Sequence, residues 1–195
     1  MQLVFIASWL VCLDESMSIW VNKFTCPGFV FCPRKPWPFG NEWHTIACSL
    51  CMIIFWVELV EGKTRPKEMA EPKYNRCKGK QMKTVGLMLR MTESIWNTGK
   101  CVILDSGFCV LQGIVELQKK GLYSSAVIKK RRYWPAGVKG DDVINHFKDK
   151  EIGSYDALPG ELDGVPFHLV CMKEENYVMN LMSTYGMMKE VKTAH

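Results

Sequence analysis

The segment that most constrains the fold is Cys101-Val-Ile-Leu104 together with the twenty or so residues after it. Four apolar residues run into Asp105, and Ser106-Gly107 turns the chain. Val110, Leu111, Ile114, Val115 and Leu117 then recur at helical spacing as far as Gly121, and residues 123–128 read as a second strand. Strand, helix, strand in that order needs a crossover, which sets the two strands parallel and the connection right-handed. The chain is therefore of the α/β class. Its 195 residues suffice for one domain with a real core and are few for two. With 48% hydrophobic and 23% charged residues it can bury enough apolar surface to fold, which excludes a disordered, collagen-like or coiled-coil chain.

The rest of the chain fits around that unit. Residues 3–13 are almost all apolar, as in a strand buried on both faces, and stop at Asp14. They do not read as a signal-peptide core, because no Lys or Arg precedes them and the acidic pair Asp14-Glu15 comes directly after. No apolar stretch approaches the roughly 20 residues of a membrane span. Proline and glycine breakers make 25–42 a loop or bent hairpin, and 45–51 and 52–60 read as antiparallel strands. Residues 62–82 form an exposed basic loop. Over 83–98, Val85, Met88, Leu89, Ile95 and Trp96 mark one face of an amphipathic helix ended by Gly99. Residues 133–164 read as irregular, with one weak helix at 141–148. A hairpin occupies 165–184, its strands at 165–172 and 177–183 turning at Lys173-Glu-Glu-Asn176.

Two acids share one local context: Asp14 follows WLVCL and Asp105 follows CVIL. Each falls at or near the end of a central strand, where an α/β sheet opens a crevice for ligands. On neighbouring strands, roughly 4.8 Å apart, both carboxylates reach the same divalent cations. Two Mg²⁺ ions about 3.5–4 Å apart activate a nucleophile and stabilise the leaving oxygen in phosphoryl transfer. The plainer alternative is that an acid simply ends each strand. Strand alternation turns Glu15 away from Asp14.

The net charge of +5 and a pI near 8.7 permit a nucleic-acid partner without requiring one. Lys129, Lys130, Arg131 and Arg132, followed by Tyr133 and Trp134, combine cations for a phosphate backbone with rings for an unpaired base. Arg34 and Lys35, before Pro36-Trp37, form a second candidate. In both cases the alternative is a solvated loop whose rings fold back onto the core. Nine cysteines, mostly inside apolar runs (Cys12, Cys48, Cys51, Cys101, Cys171), point to an intracellular, reducing compartment. Cys48-Ser-Leu-Cys51 has the gap of a zinc knuckle, with His44 nearby. No second pair completes four ligands, and strand alternation would splay positions 48 and 51, so no zinc site is expected. No Ser or Cys pairs with a His as a hydrolase nucleophile.

The stretches LDESMSIWVNKFTCPG, PRKPWPFGNEWHTIAC, VILDSGFCVL, IKKRRYWP and LPGELDGVPFHLVCMKEENYVMNLMSTYG resemble, in order over 13–185, the transposase domain of piggyBac-type transposable elements. The resemblance implies a ribonuclease H-like mixed sheet flanked by helices, with an appended β-hairpin. It also implies DNA cutting and joining by three aspartates that hold two Mg²⁺ ions, and a nuclear location. Asp14, in LDESMS, corresponds to the family's first aspartate and Asp105, in VILDSGF, to the second. The third lies in the family beyond the hairpin, and residues 185–195 hold nothing resembling its glycine–valine–aspartate stretch. The expectation is a single partial, C-terminally truncated domain over 1–195. Such a domain would be a catalytically incomplete transposase relic, retaining at most weak Mg²⁺ and DNA binding. Two alternatives stand beside it. One is an active DNA-cleaving and DNA-joining enzyme whose third acid comes from another segment or chain. The other is a non-catalytic structural or interaction module. Oligomeric state is not legible in the sequence.

Overall fold

The computed structural model describes residues 5–26, 28–60, 82–129 and 133–186. Of the sequence expectations, most of the basic loop at 62–82 and the cations Lys130, Arg131 and Arg132 lie outside the described residues. Nine strands form one mixed sheet: β1 Leu10–Ile19, β2 Phe29–Phe31, β3 Phe39–Cys48, β4 Ile54–Leu59, β5 Cys101–Leu104, β6 Tyr123–Val127, β7 Tyr155–Leu162, β8 Val165–Lys173 and β9 Val178–Ser183. The helices are α1 Met82–Thr92, extended by a 3₁₀ turn at Glu93–Ile95, α2 Leu111–Lys119 and α3 Gly140–Phe147. The strand order is β2-β3-β1-β5-β6-β9-β8-β7, with β4 also paired to β3. This is the mixed α/β sheet flanked by helices that the sequence implies.

Parallel pairing of β1 with β5 and of β5 with β6 makes the centre of the sheet. The short apolar run of β5 suits this central place, with Cys101, Val102 and Leu104 buried and Ile103, on the face opposite Val102 and Leu104, 37% exposed. Val11, Leu13, Val102 and Leu104 point to one face and are buried there under Val85, Met88 and Met91 of α1 and Ile114 and Leu117 of α2. The two helices approach closely where α2 carries Gly113, since a Cβ there would stand 2.7 Å from the Met88 sulfur. Arg90 on α1 donates two hydrogen bonds to the carboxylate of Glu58, a fork-to-fork contact that ties the helix to β4. Gly99 and Gly121, at φ +66° and +69°, end the helical segments before β5 and β6, as the sequence indicates.

Three expectations need correction. The first strand does not span 3–13 and stop at Asp14. It begins at Leu10 and runs through Asp14 to Ile19, because β3 pairs with it antiparallel from Val11–Cys48 to Ile19–Gly40. A polar stretch continues as strand when a partner strand supplies its hydrogen bonds. Residues 133–164 are not irregular apart from one helix: Tyr155–Leu162 is β7, paired with β8 along its whole length. The strand expected over 45–51 ends at Cys48, and Ser49 to Cys51 turn.

Candidate metal centre

Leu13 and Leu104 are register partners in the parallel pair, so Asp14 and Asp105 are the next residues of two adjacent strands. Both charges, behind burial as the larger cause, hold the thiol of Cys12 above its ordinary range, which sets the two carboxylates near one side chain. Asp14 is exposed, its Oδ1 accepts the N–H of Glu15 at 2.7 Å, and Thr45 Oγ1 donates to its carbonyl at 3.3 Å.

Asp105 stands just past the strand, in a turn closed by Phe108 N–H donating to its carbonyl at 2.9 Å. Burial pushes its carboxyl up, but the N–H groups of Ser106 and Gly107 and the charge of Lys129 outweigh it and hold the group below the usual carboxylate range. Gly107 N–H lies 3.4 Å from Oδ2, and Tyr133 Oη donates to the Gly107 carbonyl at 3.4 Å, fixing the turn from the far side.

The antiparallel pairing of β1 with β3 adds a second group of donors. Glu15 faces His44 in register, and Glu42 lies two residues from His44 on the same side of the strand. Glu15, Glu42 and His44 each offer one ligand atom, and these atoms all lie within 4.8 Å of one another. His44 is 8% exposed, with its ring edge-on to Phe108 at 5.8 Å. Glu15 turns to the face opposite Asp14, as alternation requires. Asp105, however, lies beyond the last strand residue, where alternation no longer applies. A Cβ on Gly107 would stand 3.7 Å from Glu15 Oε1 and 3.9 Å from Asp105 Oδ2, so the two acids flank one glycine. Burial first, then the charge of Glu42, with smaller contributions from Asp14 and Asp105, keep the Glu15 carboxyl above its ordinary range against the opposing charge of Lys35. Asp14 and Glu15, mid-strand in β1 and on its opposite faces, thus lie with Asp105 and Glu42 about the β1–β5 and β1–β3 pairings, a surplus of negative charge that hard oxygen donors place at the disposal of a divalent cation.

Cations rim this acidic centre. Lys35 Nζ donates to the Glu15 carbonyl at 3.2 Å, and Lys129 is the charge acting on Asp105. Arg34 is exposed, as is Trp37 at 66%. Trp134 is half-buried, and its ring meets the place of a Gly140 Cβ at 3.2 Å; Tyr133 is buried too. Those rings fold toward the core, leaving little face on Trp134 for a base, and the Trp37 ring stands out instead. Sequence reasoning did not single out Glu42. Its signal is the register of two antiparallel strands, which aligns DES with NEWH and is invisible in either segment alone.

A mixed sheet of nine strands with a parallel centre, flanked by helices, is a ribonuclease H-like α/β fold. The model of the family described as Transposase IS4 matches residues 1–195. The chain belongs to that family, in its piggyBac-type branch. It is similar in fold to the chain of a solved structure titled a piggyBac transposase synaptic complex with hairpin DNA, with a TM-score of 0.70 and 12% identity. The match covers 96% of this chain and 35% of that one, so the chain spans about a third of that transposase's length. No curated protein matches. No helix among the described residues is long and apolar enough to cross a membrane.

Proposed function

We propose that this domain gathers Mg²⁺ and the DNA backbone where Asp14, in the middle of β1, adjoins the end of β5, and that it does not complete strand cleavage or transfer by itself. The observation that carries the reading is the register: Leu13 beside Leu104, hence Asp14 beside Asp105. When bound there, the cation supplies activation of an attacking oxygen and stabilisation of the leaving oxygen of a phosphodiester. The chain's own residues do the rest. Asp14 and Asp105 hold the ion. The N–H groups of Ser106 and Gly107 keep Asp105 ionised, so that it binds without first losing a proton. Lys129 and Lys35, with Arg34, take phosphate oxygens on either side, joined by Lys130, Arg131 and Arg132.

Two aspartates give the site too little charge to hold a pair of Mg²⁺ ions, which surrender their waters reluctantly. Glu15 meets the same turn, yet it lies on the other face of β1 and burial raises its affinity for a proton. The site therefore retains binding rather than catalysis, in a nuclear, DNA-associated protein. The test is a strand-nicking assay with Mg²⁺ or Mn²⁺ on a DNA hairpin. No turnover is expected. Turnover abolished by Asp105→Ala would replace this reading with that of a competent enzyme completed by another acid. Failure to retain DNA in a low-salt shift assay would leave a structural module.

A further inference from the structure

The turn between β3 and β4 holds a chemical group that the metal centre does not use. Strand alternation would have sent Cys48 and Cys51 to opposite faces, but β3 ends at Cys48 and the chain folds back at once. Met52 N–H donates to the Cys48 carbonyl and Cys48 N–H donates to the Ile53 carbonyl, each at 2.9 Å, closing 48–53 into one tight loop. Met52 takes φ +58° to achieve it. The turn places Cys51 three residues past Cys48 within that one tight loop, on the same corner of the sheet.

A second arm reaches the Cys48 sulfur. Ser8 N–H donates to Cys48 Sγ at 3.4 Å, and the Cys48 thiol donates to Ser8 Oγ at 3.2 Å. On ionisation of Cys48 the hydroxyl can turn to donate instead. Cys48 is 1% exposed, whereas Cys51 is exposed. One sulfur of the pair thus meets solvent, and the other waits behind it, out of reach of any second molecule.

We propose that Cys48 and Cys51 form a redox-active dithiol that closes to an intramolecular disulfide at the expense of a small disulfide of the glutathione type. The exposed thiolate of Cys51 attacks one sulfur of that disulfide, breaking its S–S bond and releasing one thiolate. The thiolate of Cys48 then attacks Cys51 Sγ, forming the Cys48–Cys51 bond and expelling the second thiolate. The protein loses two electrons, the small disulfide gains them, and the two thiol protons pass to the thiolates released. Division of labour comes from burial: Cys51 meets the reagent and Cys48 resolves. Cys48 suits that role because the Ser8 hydroxyl, followed by the N–H groups of Cys51 and Ser8, holds its thiol down at about 6. By contrast, burial pushes Cys109 up to about 12 and Cys171 up to about 11, so those thiols are poor competitors.

The experiment exposes the reduced full-length chain to oxidised glutathione between pH 5 and 8, quenches with an alkylating agent, and maps disulfides by peptide mass spectrometry. A Cys48–Cys51 disulfide without retained glutathione is expected, and Cys51→Ser should lose it. In Ser8→Ala the pH midpoint of closure should rise by roughly 1 unit, the worth of one hydrogen bond to a charged group. Circular dichroism confirms that each variant is folded. Glutathione persisting on Cys51, a disulfide joining Cys48 to any other cysteine, or a midpoint unmoved by Ser8→Ala would each overturn the proposal.

Discussion

Replacement of Gly40 by alanine should be strongly destabilising, because its added methyl group meets backbone on the neighbouring strand. Gly40 is the register partner of Ile19 at the far end of the β1–β3 ladder, at φ +148°. A Cβ there would stand 1.8 Å from the Ser18 carbonyl oxygen, and 2.9 Å from both the Ser18 carbonyl carbon and the Trp20 nitrogen. All three are backbone atoms, so no side-chain rotation relieves the clash and β1 must part from β3. Parting sacrifices the hydrogen bond from Trp20 N–H to the Phe39 carbonyl at 3.2 Å, and with it the adjacent ladder pairs. At about 1 kcal/mol for each of two or three hydrogen bonds, plus about 1–3 kcal/mol of backbone strain, the cost is about 3–6 kcal/mol. That is a large share of the ~5–15 kcal/mol that holds a domain together. The displaced ladder also carries the arm bearing Arg34, Lys35 and Trp37, so DNA retention should fall with stability. Urea denaturation followed by tryptophan fluorescence measures the first effect and an electrophoretic shift the second. A loss below about 1 kcal/mol would refute the reasoning, because it would mean that the two strands do not approach as closely as the register demands.

Leu104→Ala should cost about 2–5 kcal/mol in the same denaturation experiment, since Leu104 is fully buried under α1 and α2 and its cavity has rigid walls. Glu15 and Asp105 should impose opposite pH dependences. The raised carboxyl of Glu15 favours the folded state while protonated and withdraws that stability as pH climbs through its folded value, so Glu15→Gln should stabilise the protein at pH 7. The lowered carboxyl of Asp105 contributes stability above the ordinary carboxylate range that is lost on acidification, so Asp105→Asn should flatten the acid limb of a melting-temperature profile. Lys129→Glu should weaken DNA retention uniformly across sequences and lower the slope of log affinity against log salt by about 1.

The β5–α2–β6 unit was legible because its signals are local: an apolar run, helical spacing, and glycines at Gly99 and Gly121 that adopt positive φ where the helical segments end. Strand β7 was not, because Pro159 and Gly160 read as breakers. The structure resolves the conflict by placing β7 at the edge of the sheet, paired only with β8, where a proline nitrogen has no ladder bond to lose. The start of β1 was misplaced for the converse reason. Hydrophobicity continues back through Phe5 and Ile6, but no strand pairs with that part, and Ile6 is 88% exposed. Asp14 and Asp105 could be picked out together because each follows an apolar run. The grouping of Glu15 with Glu42 and His44, and the placing of Cys51 with Cys48 in one tight loop, depend on register and on where a strand stops. The first is encoded by no spacing within one segment; for the second the Cys-Ser-Leu-Cys gap is visible in the sequence, but the turn that ends β3 at Cys48 is not.

Calorimetric titration of the full chain with Mn²⁺ tests the central claim most directly. A saturable heat lost in both Asp14→Asn and Asp105→Asn, with each variant still folded, is the predicted result. Undiminished binding in either variant, or no binding in the parent chain, would contradict a cation site shared between β1 and β5.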